Sequence, residues 1–155
     1  LKRQKGGLRN HMMQYLHDTG RDTTYVNTVM NAIGKAKKVD KEWGHELWLA
    51  NDEKENYCGK LLYIKKGHSS SMHYHSLKHE TFYILRGKLE LELIDTQTTE
   101  KNVVIMEEGD TFVLPRLLPH RLAPAEGEEF VEFIEISTFH RDSDSYRVWR
   151  NTPKA

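Results

Sequence analysis

Three side chains able to bind a metal ion, His73, His75 and Glu80, fall within residues 73–80, and a glycine closes the stretch on either side, at Gly67 and Gly87. A fourth, His120, stands in a second turn region bounded by Gly109, Pro115 and Pro119. Residues two apart on an extended strand share a face, so His73 and His75 project together and can each give one nitrogen to the same ion at about 2.0–2.1 Å. Glu80 joins them only if the chain reverses first, and Ser76-Leu77-Lys78-His79 supplies that turn. Imidazole with carboxylate suits a borderline divalent ion: Mn, Zn, Ni, Co or Fe. No thiolate belongs to the set, which disfavours a structural zinc site. An isolated H-x-H would carry little weight in a chain with nine histidines. The glutamate, the flanking glycines and the distant His120 turn it into a metal site. His79 competes with Glu80 but has the opposite strand parity, and His11 and His68 are expected at the surface.

Ligands drawn from two separate hairpins need a fold that brings those hairpins together. From Val39 onward the hydrophobic period is that of strands. Strands are predicted at residues 46–50, 58–66, 73–75, 80–86, 88–95, 103–106, 111–114, 120–123 and 129–137, broken by Gly, Pro and Asp turns. Many short strands with no intervening helix after residue 40 predict an antiparallel sandwich or barrel and disfavour βαβ architectures. Ahead of them, Val26, Val29, Met30 and Ile33 have helical spacing after an N-cap at Asp22 or Thr23. Lys35, Lys37 and Lys38 then complement a helix C-terminus. A shorter helical face at His11–Leu16 is also expected. The division is a helical extension over residues 1–40 and a β domain over residues 41–150, with Tyr146, Val148 and Trp149 of the tail available to dock.

Composition narrows the function classes. Basic and acidic residues number 23 each, so no global field favours nucleic acid or a membrane surface. The lone cysteine, Cys58, rules out an internal disulfide and fits a reducing, cytoplasmic compartment. No apolar run is long enough to span a membrane, and no signal-peptide core is seen.

The site residues resemble the cupin superfamily. Gly67, His73, His75, Glu80 and Gly87 match every position of the first cupin motif, and Gly109, Pro115 and His120 match the second. Leu117 stands where the second motif has glycine, and Pro124 where it has asparagine. The resemblance implies an all-β jelly-roll β-barrel holding a divalent ion on His73, His75, Glu80 and His120. Lys41-Glu42-Trp43-Gly44-His45-Glu46-Leu47-Trp48 is further similar to the segment preceding the barrel in small D-lyxose/D-mannose isomerase-like (mannose-6-phosphate isomerase-like) cupins, as are CGKLLYIKKG (58–67), YHSLKHETFYILRGKLEL (74–91) and EFIEIST (132–138).

That likeness implies a metal-dependent aldose–ketose isomerase acting on a small-molecule sugar, phosphorylated or not. An Fe(II) cupin oxygenase and a non-enzymatic sugar-binding cupin are the alternatives. Isomerisation needs an acid–base group beside the metal. Lys60, in an apolar strand where burial would lower its pKa, Glu132 and Glu135 are the catalytic candidates. Glu132 and Glu135 have opposite parity, so one faces inside. His45 is a further interior candidate. Lys78, Arg121 and Phe82 are the substrate-binding candidates, with Arg116 joining Arg121 and Lys78 if a phosphate is bound. Trp43, Trp48, Phe82 and Phe112 read first as core, although an aromatic lining would suit a pyranose. A homodimer is expected, through Tyr83, Leu85 and Leu91 on an outward face.

Overall fold

The computed structural model describes residues 2–20 and 34–149. The chain falls into two units, Leu1–Lys35 and Ala36–Ala155. The first contains helix α1 (Lys2–Thr19), longer than the short face predicted. Its sequence has no proline and no β-branched residue before Thr19, so it tolerates the two poor helix formers Gly6 and Gly7 without a helix breaker. It ends at Gly20, whose φ of 66° is the left-handed conformation of a helix C-terminus. The helix predicted around Val26–Ile33 lies outside the described residues.

The second unit is two antiparallel sheets, the all-β jelly roll expected. Its strands are β1 (Lys37–Lys41), β2 (Gly44–Asp52), β3 (Tyr57–Lys65), β4 (Met72–Tyr74), β5 (Glu80–Arg86), β6 (Leu89–Ile94), β7 (Lys101–Met106), β8 (Thr111–Leu114), β9 (His120–Pro124), β10 (Phe130–Ser137) and β11 (Tyr146–Trp149). One sheet has the order β1-β2-β3-β10-β5-β8, the other β11-β4-β9-β6-β7. No described helix is long and apolar enough to cross a membrane.

Two strands differ from expectation. Lys37–Lys41 is not a helix terminus but β1, paired with β2, and Lys37 lies opposite Trp48 with its ammonium 5.2 Å from the ring centre. A lysine-rich strand at a sheet edge blocks further strand pairing, which is the physical role of that charge. Tyr146–Trp149 does more than dock: it adds β11 to the edge of β4, with Tyr146 stacked on Tyr74.

Alternation sets the interior. Cys58, Lys60, Leu62 and Ile64 of β3 and Val131, Phe133, Glu135 and Ser137 of β10 point inward. The apolar members join Phe82, Ile84, Leu89, Leu91, Met106, Leu114 and Leu122 in one core. One row crosses the larger sheet from strand to strand: Trp48, Lys60, Glu135, Phe82 and Phe112 stand opposite one another in register. Polar and apolar halves of the interior meet along that row. Of the expected dimer face, Tyr83 is exposed and Leu85 half-buried, but Leu91 is fully buried in the core and cannot contribute.

Two turn positions carry backbone constraints that bear on the site. Gly87 has φ 75°, and a Cβ there would stand 2.4 Å from the Phe130 carbonyl oxygen. Leu117, in place of the motif's glycine, adopts φ 66°, while its N–H donates to the His75 carbonyl at 2.7 Å. A left-handed non-glycine residue costs roughly 1–2 kcal/mol. Leu117→Gly should therefore stabilise the fold by roughly 0.5–1 kcal/mol after the added chain entropy of glycine. Gly87→Ala should destabilise it by about 3 kcal/mol or more, combining the left-handed backbone with the steric clash. Urea unfolding of the two variants checks both signs.

Candidate metal centre and its cavity

His73 on β4 lies directly opposite His120 on β9, so the pairing of these two strands within the smaller sheet places the two imidazoles side by side, ring centres 4.4 Å apart. His75, just past the end of β4, closes the group. Nitrogens of His73, His75 and His120 all lie within 4.8 Å of one another. Each ring is oriented by the backbone. His73 Nδ1–H donates to Ser71 O at 2.8 Å, His75 Nδ1–H to Asp144 O at 2.6 Å and His120 Nδ1–H to Leu118 O at 3.0 Å. Because a carbonyl can only accept, Nδ1 carries the proton in all three, and each Nε2 is left with its lone pair.

Burial, helped by the other imidazoles and the Lys78 ammonium, holds all three rings at a pKa of about 3, so they are neutral, the form that binds metals. His120 Nε2 is buried and has no hydrogen-bond partner. A buried nitrogen without a partner is costly, and three converging lone pairs fit a divalent cation.

Glu80, the first residue of β5, sets Oε2 3.9 Å from His75 Nε2 and 3.8 Å from His120 Nε2. Its Oε1 accepts from Lys78 Nζ at 2.6 Å, and the same ammonium reaches Glu135 Oε1 at 2.8 Å. Burial pushes the Glu80 carboxyl well above its ordinary range against the pull of Lys78. Burial acts on Glu135 in the same sense, but Lys78 and then Lys60 outweigh it and hold that carboxyl well below. Lys78 itself would be lowered by burial, yet Glu135 and Glu80 raise it above the usual lysine range.

These groups line one cavity of about 480 Å³ together with Lys60, Glu46 and His140. Lys60 is 2% exposed, so it does not snorkel to water. Its ammonium sits 3.6 Å from Glu46 Oε2 and 4.5 Å from the centre of the Trp48 ring, with Glu135 opposite on β10. Trp48 Nε1–H fixes the same Glu46 oxygen at 2.7 Å.

The sequence model of the cupin domain matches residues 60–137. The chain belongs to the cupin family. Solved structures share its fold. A variant of oxalate decarboxylase from Bacillus subtilis superposes with TM-score 0.62 at 19% identity over 73% of this chain and 30% of that one. The capsular polysaccharide assembling protein CapF from Staphylococcus aureus does so with TM-score 0.67 at 14% identity over 79% and 35%. This cupin thus spans about a third of the length of either. No curated protein matches the sequence.

The cavity gathers His73, His75, Glu80, His120, Lys60, Lys78 and Glu135 from the residues singled out in the sequence. Others lie elsewhere. Glu132 has the outward parity and pairs with Arg86. Arg121 follows His120 and so faces the other side of β9, where it holds Glu92 at 2.7 Å and Glu90 at 3.4 Å. Phe82 is fully buried in the core, edge-on to Phe133. His45 faces away and stacks on Tyr63. His79 and Arg116 do not line the cavity either, whereas Trp43 does.

The sequence reading missed Glu46, His140 and Asp144. Glu46 carried a signal: Lys41, Trp43 and Glu46 of the pre-barrel segment all line the cavity. Asp144 carried none. It lies in a 3-10 turn (Asp142–Asp144), and besides accepting from His75 through its carbonyl it caps the turn between His75 and Glu80. Its carboxylate accepts from Ser76 Oγ at 2.7 Å and from the N–H groups of Ser76, Leu77 and Lys78 at 3.0, 3.1 and 2.9 Å.

Burial alone would raise the Asp144 pKa, but the Ser76 hydroxyl and the backbone N–H groups of Lys78, Leu77 and Ser76 bring it below the ordinary value. A depressed folded-state pKa gives stability that is complete above the unfolded value of about 3.9 and is lost as pH falls through the folded one. Asp144→Asn should lower stability near pH 7 by about 2–3 kcal/mol and flatten the loss of stability below about pH 4. Chemical denaturation at a series of pH values checks both; an unchanged acid slope would rule out this role.

Proposed function

We propose that this cupin is a divalent-metal-dependent aldose–ketose isomerase for a small sugar or sugar phosphate of the D-lyxose/D-mannose type. The observation that carries the reading is that one cavity combines the three-imidazole cluster with two buried ammonium–carboxylate pairs, Lys60–Glu46 and Lys78–Glu135. An electrophilic centre flanked by proton donors and acceptors is what a hydrogen shift between neighbouring carbons requires.

His73, His75 and His120 through Nε2, with Glu80, would hold the ion. A divalent ion bound there supplies Lewis-acid polarisation of the substrate carbonyl. Glu135, ionised and in the cavity, takes the proton from C2 and returns it to C1. Lys60 gives a proton to the C1 oxygen and recovers one from the C2 hydroxyl, so the ketose forms with no net proton change. Lys78 keeps Glu135 charged and oriented. The mouth offers Lys41 and Arg147, both exposed and lining the cavity, as cations for a phosphate. A cytoplasmic homodimer belongs to the same reading, to be tested by light scattering.

Elemental analysis and turnover assays with a panel of aldoses test the proposal. His75→Ala should lose stoichiometric metal. Glu135→Gln should retain metal while turnover falls about 10²–10⁴-fold, the usual contribution of a general acid–base group. Glu132→Gln should turn over normally, and chelation should abolish wild-type activity. Normal turnover in Glu135→Gln would remove the acid–base assignment. A metal-loaded protein that leaves every aldose unchanged would remove the isomerase.

A further inference from the structure

The outer faces of the two sheets are finished differently. Across the smaller sheet, outward Arg121 of β9 binds Glu90 and Glu92 of β6, and Lys101 of β7 reaches Glu92 at 3.2 Å. The larger sheet carries two apolar rows instead. In one, Leu47, Leu61, Ile134 and Tyr83 stand opposite one another from β2 to β5. In the other, Ile136 of β10 lies between Gly59 and Thr81, and Thr81 is opposite Val113 of β8. Leu49, at the bulge of β2, closes this row, since a Cβ on Gly59 would stand 4.0 Å from its own. Ile136 is 59% exposed, Leu49 58%, Val113 57% and Tyr83 38%. No Lys, Arg, Asp or Glu belongs to either row, and at one end of the face Glu132 and Arg86 pair with each other.

We propose that two copies of the chain pack sheet on sheet through this face. Contiguous exposed apolar surface of this kind marks an interaction site, because its side chains gain about 25 cal/mol for each Å² removed from water. Five strands at about 4.8 Å, with about three outward residues on each at roughly 6.6 Å spacing, give a projected footprint of roughly 480 Å². The relief of the side chains adds to it, toward the roughly 800 Å² that a stable interface takes from each partner. Charge selects the occupant. Nucleic acid or an anionic lipid surface needs unpaired cations, and these rows hold none. An uncharged apolar face complements an identical one, and two-fold packing uses the same patch on both copies. β10 is the middle strand of β2-β3-β10-β5-β8, so a two-fold axis there sets Ile134 and Ile136 close to their own counterparts, with the sheets about 10 Å apart. Strand addition is not the mode at the β1 edge, which its lysines block. The inner side of the same strands carries Lys60 and Glu135 in register, so the partner sheet backs the one that holds them. A homodimer belongs to the functional reading, and this face supplies how its copies meet.

Sedimentation velocity of the full chain over a concentration series tests it. The wild type should be dimeric at about 10 μM. Ile136→Lys should raise the dissociation constant about a hundredfold or more, since it places an unpaired ammonium in the interface. Val103→Lys is the control: Val103 is 57% exposed but stands opposite Glu92 on the smaller sheet, and this variant should stay dimeric. Leu49 is as exposed as Ile136, so Leu49→Glu decides the matter if Ile136→Lys misfolds. A wild type monomeric at that concentration, its face covered from within its own chain or left bare, would overturn the face and the homodimer together. A dimer that persists in folded Ile136→Lys, or that Val103→Lys breaks equally, would overturn the face and leave the homodimer. Neither readout depends on turnover, so a dimer of this kind that is inert toward aldoses would remove the isomerase and leave the face standing.

Discussion

The Lys78 ammonium lies between two buried carboxylates, 2.6 Å from Glu80 and 2.8 Å from Glu135, and the polar half of the barrel depends on it. A single charge moved from water into a low-dielectric interior is strongly penalised, and removing one member of a buried set leaves the others uncompensated. Lys78 allows Glu80 to stand beside the imidazoles and Glu135 to stand opposite Lys60 without leaving either unpaired. Lys60 in turn is held by Glu46 and the Trp48 face. The result is a chain of alternating charges across the inner face of one sheet, ending at an imidazole cluster built mainly by the other.

Position in that chain decides the state of each group. Three imidazoles are neutral because they are buried beside a cation and one another. Two carboxylates a single ammonium apart move in opposite directions, since Glu135 is also close to Lys60 and gains more from positive charge than it loses by burial. Separation of protonation states among neighbouring groups is a common feature of acid–base sites. The surrounding apolar core, from Leu62 to Phe133, forms the rest of the interior and gives these groups a fixed frame.

Much of this was legible in the sequence because it is local. The spacing of His73 and His75, the turn before Glu80 and the alternation of β3 and β10 are properties of a few consecutive residues. The cupin resemblance supplied the pairing of His120 with that stretch. Periodicity also showed that Glu132 and Glu135 face opposite ways, but not which one faces in. That is set by neighbouring strands, which leave Glu135 opposite Lys60 and Glu132 beside Arg86. Arg121, a substrate-binding candidate, is kept away from the imidazole cavity because it follows His120, and adjacent strand residues point to opposite faces. The lysines of β1 looked like a helix terminus since basic runs suit both helix ends and sheet edges.

By itself the sequence determined the fold class, the residues able to ligate a metal and the absence of any global charge bias, because composition and short-range spacing suffice for each. Only the tertiary structure decided what supports them. Asp144 reaches the His75–Lys78 turn across a gap of more than 60 residues, and His140 meets Asn51 across 89. Leu117 takes a left-handed conformation that its side chain disfavours, so that its N–H can hold His75. Contacts of this kind form only where the folded chain returns on itself, and no local pattern encodes where that will be.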